Sequence, residues 1–171
     1  MREILKAFWD IALWRRDPGH LPDSAALLAV TAAVYAALSV LQSWLLFGTD
    51  RLLARTVADL VFSVLPLWVL LRLMGRAHRF NQTMTAVLGT GALLTPLVML
   101  LQVVHGVVGA GSVGEVMVWA GSVAVVLWYI FIVGHILKSA LDTGTFTGVA
   151  VAVAYLVANM QLMMWLFPEG A

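Results

Sequence analysis

A chain of 171 residues that is 62% hydrophobic and only 11% charged, with a mean hydropathy of +0.96, carries more apolar surface than a soluble core of this size can hide. Ten basic and nine acidic side chains almost cancel, so their positions inform where their sum does not, and no nucleic-acid partner is expected. The absence of cysteine excludes disulfides, thiolate metal sites, a cysteine nucleophile and S-palmitoylation.

Between Glu3 and Arg16 the apolar residues Ile4, Leu5, Phe8, Ile11 and Ala12 recur at helical spacing, with Glu3, Lys6 and Asp10 on the other side and Trp9 and Trp14 widening the apolar arc. This pattern predicts an amphipathic helix lying in the membrane interface, ended by Asp17-Pro18-Gly19, either as a simple anchor or as a docking surface for a cytoplasmic partner. It does not read as a cleaved targeting signal, because Glu3 and Asp10 interrupt the apolar core and Trp14-Arg15-Arg16-Asp17 stands where small residues belong. Residues 1–24 are thus a cytoplasmic helix and linker, and Pro22-Asp23-Ser24 offers a cap for the first apolar run.

Five apolar runs fill residues 25–167, at about 25–47, 56–74, 83–108, 115–137 and 146–167, against the ~20 residues a spanning helix needs. The expected fold class is all-α: a five-transmembrane-helix bundle with an N-terminal interfacial helix and a short outer tail over 168–171. Pro66 predicts a mild kink in the second run. Gly89, Gly91 and Thr95-Pro96 make the third the weakest, a kinked span in preference to a re-entrant pair of half-helices. Arg2, Lys6, Arg15, Arg16, Arg72, Arg76, Arg79 and Lys138 fall on one set of alternate connections and only Arg51 and Arg55 on the other. The basic excess predicts a cytoplasmic N-terminus and an outer C-terminus, as in a bacterial cytoplasmic (inner) membrane protein. Trp44, Phe47, Trp119, Trp165 and Phe167 then sit at outer ends, where amphipathic rings favour the headgroup region.

Polar residues inside such runs need a reason, since Asp, Lys or Arg at mid-span costs roughly 2.5–3.5 kcal/mol. Gln42, Asp59, Gln102, His105, Glu115, Asn159 and Gln161 all fall in the expected outer half and form a candidate polar cluster, with Asp59, His105 and Glu115 as its titrating members. Plainer readings compete. Asp59 can pair with Arg55 one turn earlier, Glu115 suits a helix start, His105 lies near a wetted end, and Asn159 and Gln161 point nearly opposite ways. On the other side Arg15, Arg16, Arg72, Arg76, His78, Arg79, His135 and Lys138 form a candidate rim for anionic lipid headgroups or a membrane or cytoplasmic protein partner.

Gly109-x-Gly111-x-x-Gly114 has the dinucleotide spacing but joins two spans instead of a strand and a helix, and Ala110-Gly111-Ser112-Val113-Gly114 lacks the context of a nucleophile elbow. No cofactor or metal is expected. Ala32 with Ala36, and Ala150, Ala154 and Ala158 in series, permit close helix approach and are expected to serve packing within the bundle more than dimerisation.

The second run closes on Leu71-Arg72-Leu73-Met74-Gly75. The third opens on Phe80-Asn81-Gln82-Thr83 and continues through Gly89 and Thr95-Pro96-Leu97. The fourth holds Trp128-Tyr129 and leaves through Val133-Gly134-His135-Ile136-Leu137-Lys138. In these stretches the chain resembles the bacterial branch of the YIP (Ypt/Rab-interacting protein) family of small polytopic membrane proteins. It departs from it at Gly89-Thr90, where the family often has Gly-Tyr, and in lacking the Asp-Leu-Tyr-Gly-Pro motif of eukaryotic members. The resemblance implies a five-helix bundle with a cytoplasmic N-terminus and no enzymatic activity. The function expected is therefore a membrane organising or adaptor subunit that binds a protein partner or lipid. The alternative is a small transporter or channel subunit using the outer polar cluster. An intramembrane enzyme ranks below both, since no nucleophile and base stand at an interpretable spacing.

Overall fold

Backbone in an apolar stretch must satisfy its own hydrogen bonds once water is absent, and a helix does so within one segment. The computed structural model describes residues 2–49, 51–109 and 111–168, over which the chain is all-helical, with six α-helices and no strand. They are α1 (Arg2–Ala12), α2 (Ala25–Phe47), α3 (Leu52–Leu73), α4 (Phe80–Val107), α5 (Val113–Leu141) and α6 (Thr145–Leu166). The last five are long and apolar enough to cross a membrane, the make-up of an integral membrane protein. Of the tail expected over 168–171 only Pro168 is described, and Ala110 in the glycine-rich turn also lies outside the described residues.

The helices outrun the apolar stretches that announce them. α3 begins at Leu52, ahead of the expected position 56, and α5 runs on past position 137 to Leu141. Hydropathy marks the part of a helix suited to lipid, while the helix itself continues until a cap stops it. For α5 that stop is Asp142, whose left-handed φ of 50° lets the Thr143 N–H reach back to the Lys138 carbonyl at 3.1 Å.

α4 lies at the centre and touches α1, α2, α3 and α5, while α5 packs along α6 and α3 closes between α6 and α2. The run expected to be loosest is thus the most enclosed: every residue from Thr83 to Ala92 is buried. α4 passes Thr95-Pro96 as one continuous helix, so it is no pair of re-entrant halves. Its small residues admit close neighbours, and Thr90 and Thr95 spend their hydroxyls on the Ala86 and Gly91 carbonyls at 2.8 and 2.9 Å.

The expected helix from Glu3 to Arg16 ends sooner, at Ala12. Trp14 adopts a left-handed φ of 56°, and the Arg15 N–H bonds the Asp10 carbonyl at 2.8 Å. Ala7, Phe8, Ile11 and Ala12 are buried against the bundle. The Phe8 ring occupies the space a side chain at Gly89 would fill, since a β-carbon there would stand 2.4 Å from the ring. Trp9 meets Trp128, and Trp14 meets Phe131, edge to face at 6.4 and 6.3 Å, so both rings have protein partners on α5. With Leu67, Leu71, Met84, Leu88, Ile132 and Ile136 these residues make a core at one end of the bundle. Towards the other end, Leu100, Val103, Val107, Met117, Trp119 and Trp165 face outward, where lipid would replace protein.

The alanine series Ala150, Ala154 and Ala158 is exposed and does not line the bundle, contrary to expectation. α6 turns the row Gly148, Ala152 and Tyr155 inward instead. That row lies two residues off the alanines, almost half a helical turn round, and it brings Gly148 against the backbone of α5 at Gly134. Ala32 does pack on the core.

Candidate functional site

Two polar constellations stand out in this apolar frame, one at the α1 end and one halfway along the bundle. The first is built on residues 13–24, a strap whose backbone groups need partners because only short 3-10 geometry supplies them internally. The Asp17 carboxylate accepts from the Gly19 N–H at 2.7 Å and from the Ser139 hydroxyl at 2.6 Å. Gln82 donates to the Leu21 carbonyl and Asn81 to the Asp23 carboxylate, both at 2.9 Å. The Trp128 indole N–H donates to the Ala12 carbonyl at 3.0 Å, and His135 Nε2 stands 3.3 Å from the Arg16 carbonyl.

Arg79 adds the connection between α5 and α6, donating to the Ser139 carbonyl at 2.8 Å and to the Asp142 carboxylate at 3.1 Å, which Arg76 also pairs with. A polar recess of about 360 Å³ remains between Asp17, His20, Arg79, Gln82, Ser139 and Asp142. The Ser139 hydroxyl, ahead of the Gly19 amide, holds the Asp17 carboxyl below its ordinary value despite partial desolvation. Hydrogen bonds from Arg76 and then Arg79 do the same for Asp142.

These contacts gather the strap and the α3–α4 and α5–α6 connections at one end. At the opposite end Arg55 lies over the Phe167 ring, 5.4 Å from its centroid, so α1 and the close of α6 lie at opposite ends of the bundle. Among the expected rim residues, Arg15, Arg16, Arg72 and His78 are exposed and Lys138 is half-buried, with Arg72 5.0 Å from the centroid of the Trp68 ring. Arg76, Arg79 and His135 are taken up by the contacts just described.

The second constellation centres on Asp59. Its carboxylate faces α2, where Ser39 donates at 3.3 Å and the Tyr35 hydroxyl lies alongside. One turn along α3, the Ser63 carbonyl accepts from the Tyr155 hydroxyl at 3.0 Å and the Ser63 hydroxyl from the Asn159 amide at 3.5 Å. Tyr129 on α5 is close enough to feel the charge of Asp59 and the dipoles of both other tyrosines. At 1.5 Å per residue, Tyr35, Ser63 and Tyr155 each lie about 15 Å in from the strap end of their helices, so the group is at mid-height. A cavity of about 370 Å³ adjoins it between α2, α4, α5 and α6, with Tyr35, Gly91, Thr95 and Tyr129 on its wall.

Of the seven residues expected to form an outer cluster, this arrangement brings Asp59 and Asn159 together through Ser63. Gln42 is half-buried, the Gln102 carbonyl oxygen is buried with no hydrogen-bond partner among the described residues, and His105 and Gln161 are exposed. Glu115 caps its own helix: its N–H bonds Ser112 Oγ at 3.2 Å and its carboxylate accepts from Gly111 N–H. His105, Asp59 and Glu115 do not converge, and among the described residues no three His, Asp or Glu side chains gather as metal ligands would.

The part that sequence reasoning missed is the set of tyrosines. All three in the chain lie inside apolar runs. A phenol buried there needs a partner for its hydroxyl, and that requirement was the available signal. Comparison with family models, with curated proteins and with solved structures yields no match to the chain.

Proposed function

We propose that the chain is a non-enzymatic integral membrane protein of YIP-like type, an organising or adaptor subunit that presents its N-terminal helix and basic end to lipid or to a protein partner. In this reading the strap end is cytoplasmic, the C-terminus is outer, and the membrane is the bacterial cytoplasmic one. α1 then rides in the interface as an amphipathic helix, its inner face on the bundle and Leu5 and Trp9 exposed on the other side. One observation carries the proposal. Five of the residues in the stretches that carry the family resemblance receive the N-terminal segment: Asn81 and Gln82 hold the strap, Gly89 admits Phe8, and Trp128 and His135 take the Ala12 and Arg16 carbonyls. A segment positioned with that much backbone pairing is a presented surface.

The test is the double substitution Arg15→Glu and Arg16→Glu, both exposed and neither used by its side chain in the strap. At roughly 1 kcal/mol per basic residue near an anionic surface, native mass spectrometry should find several-fold less anionic lipid, or a lost protein partner, on the purified variant. An unchanged set of co-purifying lipids and proteins would remove the reading.

A second reading, a small transporter or channel subunit, is favoured by Asp59, an ionisable group one turn beyond mid-height that accepts from Ser39 and stands near a cavity. It predicts proton or cation flux in proteoliposomes that drops at least tenfold in Asp59→Asn. Flux of equal size in the variant, or no flux in the native protein, decides against it.

A further inference from the structure

The mid-height cavity has a wall chemistry that neither reading uses. Three of its lining residues carry hydroxyls. Thr95 spends its own on the Gly91 carbonyl at 2.9 Å, and the Tyr35 hydroxyl lies beside the Asp59 carboxylate. Tyr129 is different. Its hydroxyl stands 3.4 Å from the position a β-carbon would take at Gly91, on the cavity wall, and among the described residues nothing hydrogen-bonds it. A half-buried phenol in so apolar a setting ordinarily finds a partner.

The rest of the lining is Leu, Ile, Val and Met, with no charged side chain. No cation is present to hold an anionic head, and the Asp59 carboxylate behind Tyr35 disfavours one further. Val126, Val153, Val157 and Met160 are exposed or half-buried at the mouth, which lies on the outward surface of α5 and α6. Anything entering comes from the bilayer. At about 30 Å³ for each water-sized unit, 370 Å³ accommodates about a dozen heavy atoms. That is one short chain with a head, and far less than a two-chain phospholipid.

We propose that this cavity binds a lipid-soluble molecule of about a dozen heavy atoms whose uncharged hydroxyl or carbonyl head accepts a hydrogen bond from Tyr129. Tyr35, beside Asp59, and Gly91, which leaves room for both rings, shape the head-group end. The Val and Met side chains of α5 and α6 cover the tail. The site requires neither a bound partner at the strap nor flux past Asp59, and so stands apart from both readings above.

The experiment uses a diazirine-bearing octanol as a photolabel on the full-length protein in proteoliposomes, with labelled residues located by mass spectrometry. Saturable labelling on Tyr129, Val153, Val157 or Met160, displaced by unlabelled octanol, is the expected result. Tyr129→Phe, which keeps the ring and its packing, should weaken half-saturation about five- to tenfold, the factor carried by one hydrogen bond. Val157→Trp, which narrows the mouth, should reduce labelling without altering any hydrogen bond. Labels spread over the exposed spans without saturation would overturn the proposal. So would cavity labelling that Tyr129→Phe leaves unchanged.

Discussion

Gly148→Ala will part α5 from α6 and lower the stability of the bundle by about 1–3 kcal/mol, the range for a core forced to accept an extra carbon. A β-carbon at Gly148 would stand 2.5 Å from the Gly134 carbonyl oxygen, 2.8 Å from Lys138 Cβ and 2.9 Å from Lys138 N. Two of those three atoms are helix backbone and cannot rotate aside, so the helices must separate. The upper half of the range is therefore expected. Since α6 also carries Tyr155 and Asn159, the separation should loosen their bonds to Ser63 as well. The midpoint of thermal or detergent-induced unfolding measures the effect, with Ala150→Leu as the comparison. That change adds more volume, but on an exposed face, and should stay within about 0.5 kcal/mol of the native protein. Equal losses in the two variants would mean that α5 and α6 do not meet at Gly148.

The same pair of helices shows what can be read from sequence and what cannot. Long apolar runs declare helices because solvent chemistry leaves the backbone few alternatives, so α2 to α6 are legible to within a few residues. Which face of each helix turns inward is not. With lipid as apolar as a protein core, α6 is hydrophobic all round, and its alanine row and its Gly148 row look equally fit for packing. Only the partner decides, and the partner is Gly134, fourteen residues earlier on another helix. The α4 segment misleads for a related reason. Glycine, threonine and proline weaken an isolated helix, yet in a bundle the same small residues admit Phe8 and the ring of Tyr35, so intrinsic propensity and burial point opposite ways.

Candidate-site residues divide along the same line. Asp59 is legible because an acidic group in a lipid-facing run is costly wherever it points. Its sequence neighbour Arg55 makes an attractive local partner, while Ser39, which donates to the carboxylate, comes from α2, twenty residues back. Tyr35 and Tyr155 announce only that each hydroxyl needs a partner; that they gather with Ser63 beside Asp59 is decided in three dimensions. The strap is similarly hidden. Asp17 reads as a helix stop, and its bond to Ser139, like that of Asp142 to Arg79, exists only in three dimensions.

These contacts make the strap end sensitive to acid, and Arg79→Ala is the substitution that should expose it. Arg79 donates to the Ser139 carbonyl at 2.8 Å and, more weakly, to the Ala140 carbonyl at 3.4 Å, both in the last turn of α5, where carbonyls lack helical partners. Removing the guanidinium leaves the Ala140 carbonyl without it and the Ser139 carbonyl with only the long Asp142 N–H contact at 3.4 Å, at a cost of about 1–2 kcal/mol. It also withdraws one of the two cations that hold Asp142 ionised. Asp17 and Asp142 both have carboxyls depressed by native contacts, so their contribution is present in full above the ordinary carboxylate range and is lost as pH falls through the depressed values. Native stability should accordingly be level from pH 7 to about pH 5 and should fall only below about pH 4. Arg79→Ala should start lower and fall less steeply there, because less of the Asp142 linkage remains to be lost. Unfolding midpoints across about pH 3–7 separate this from a simple packing defect, which would shift the whole curve down in parallel.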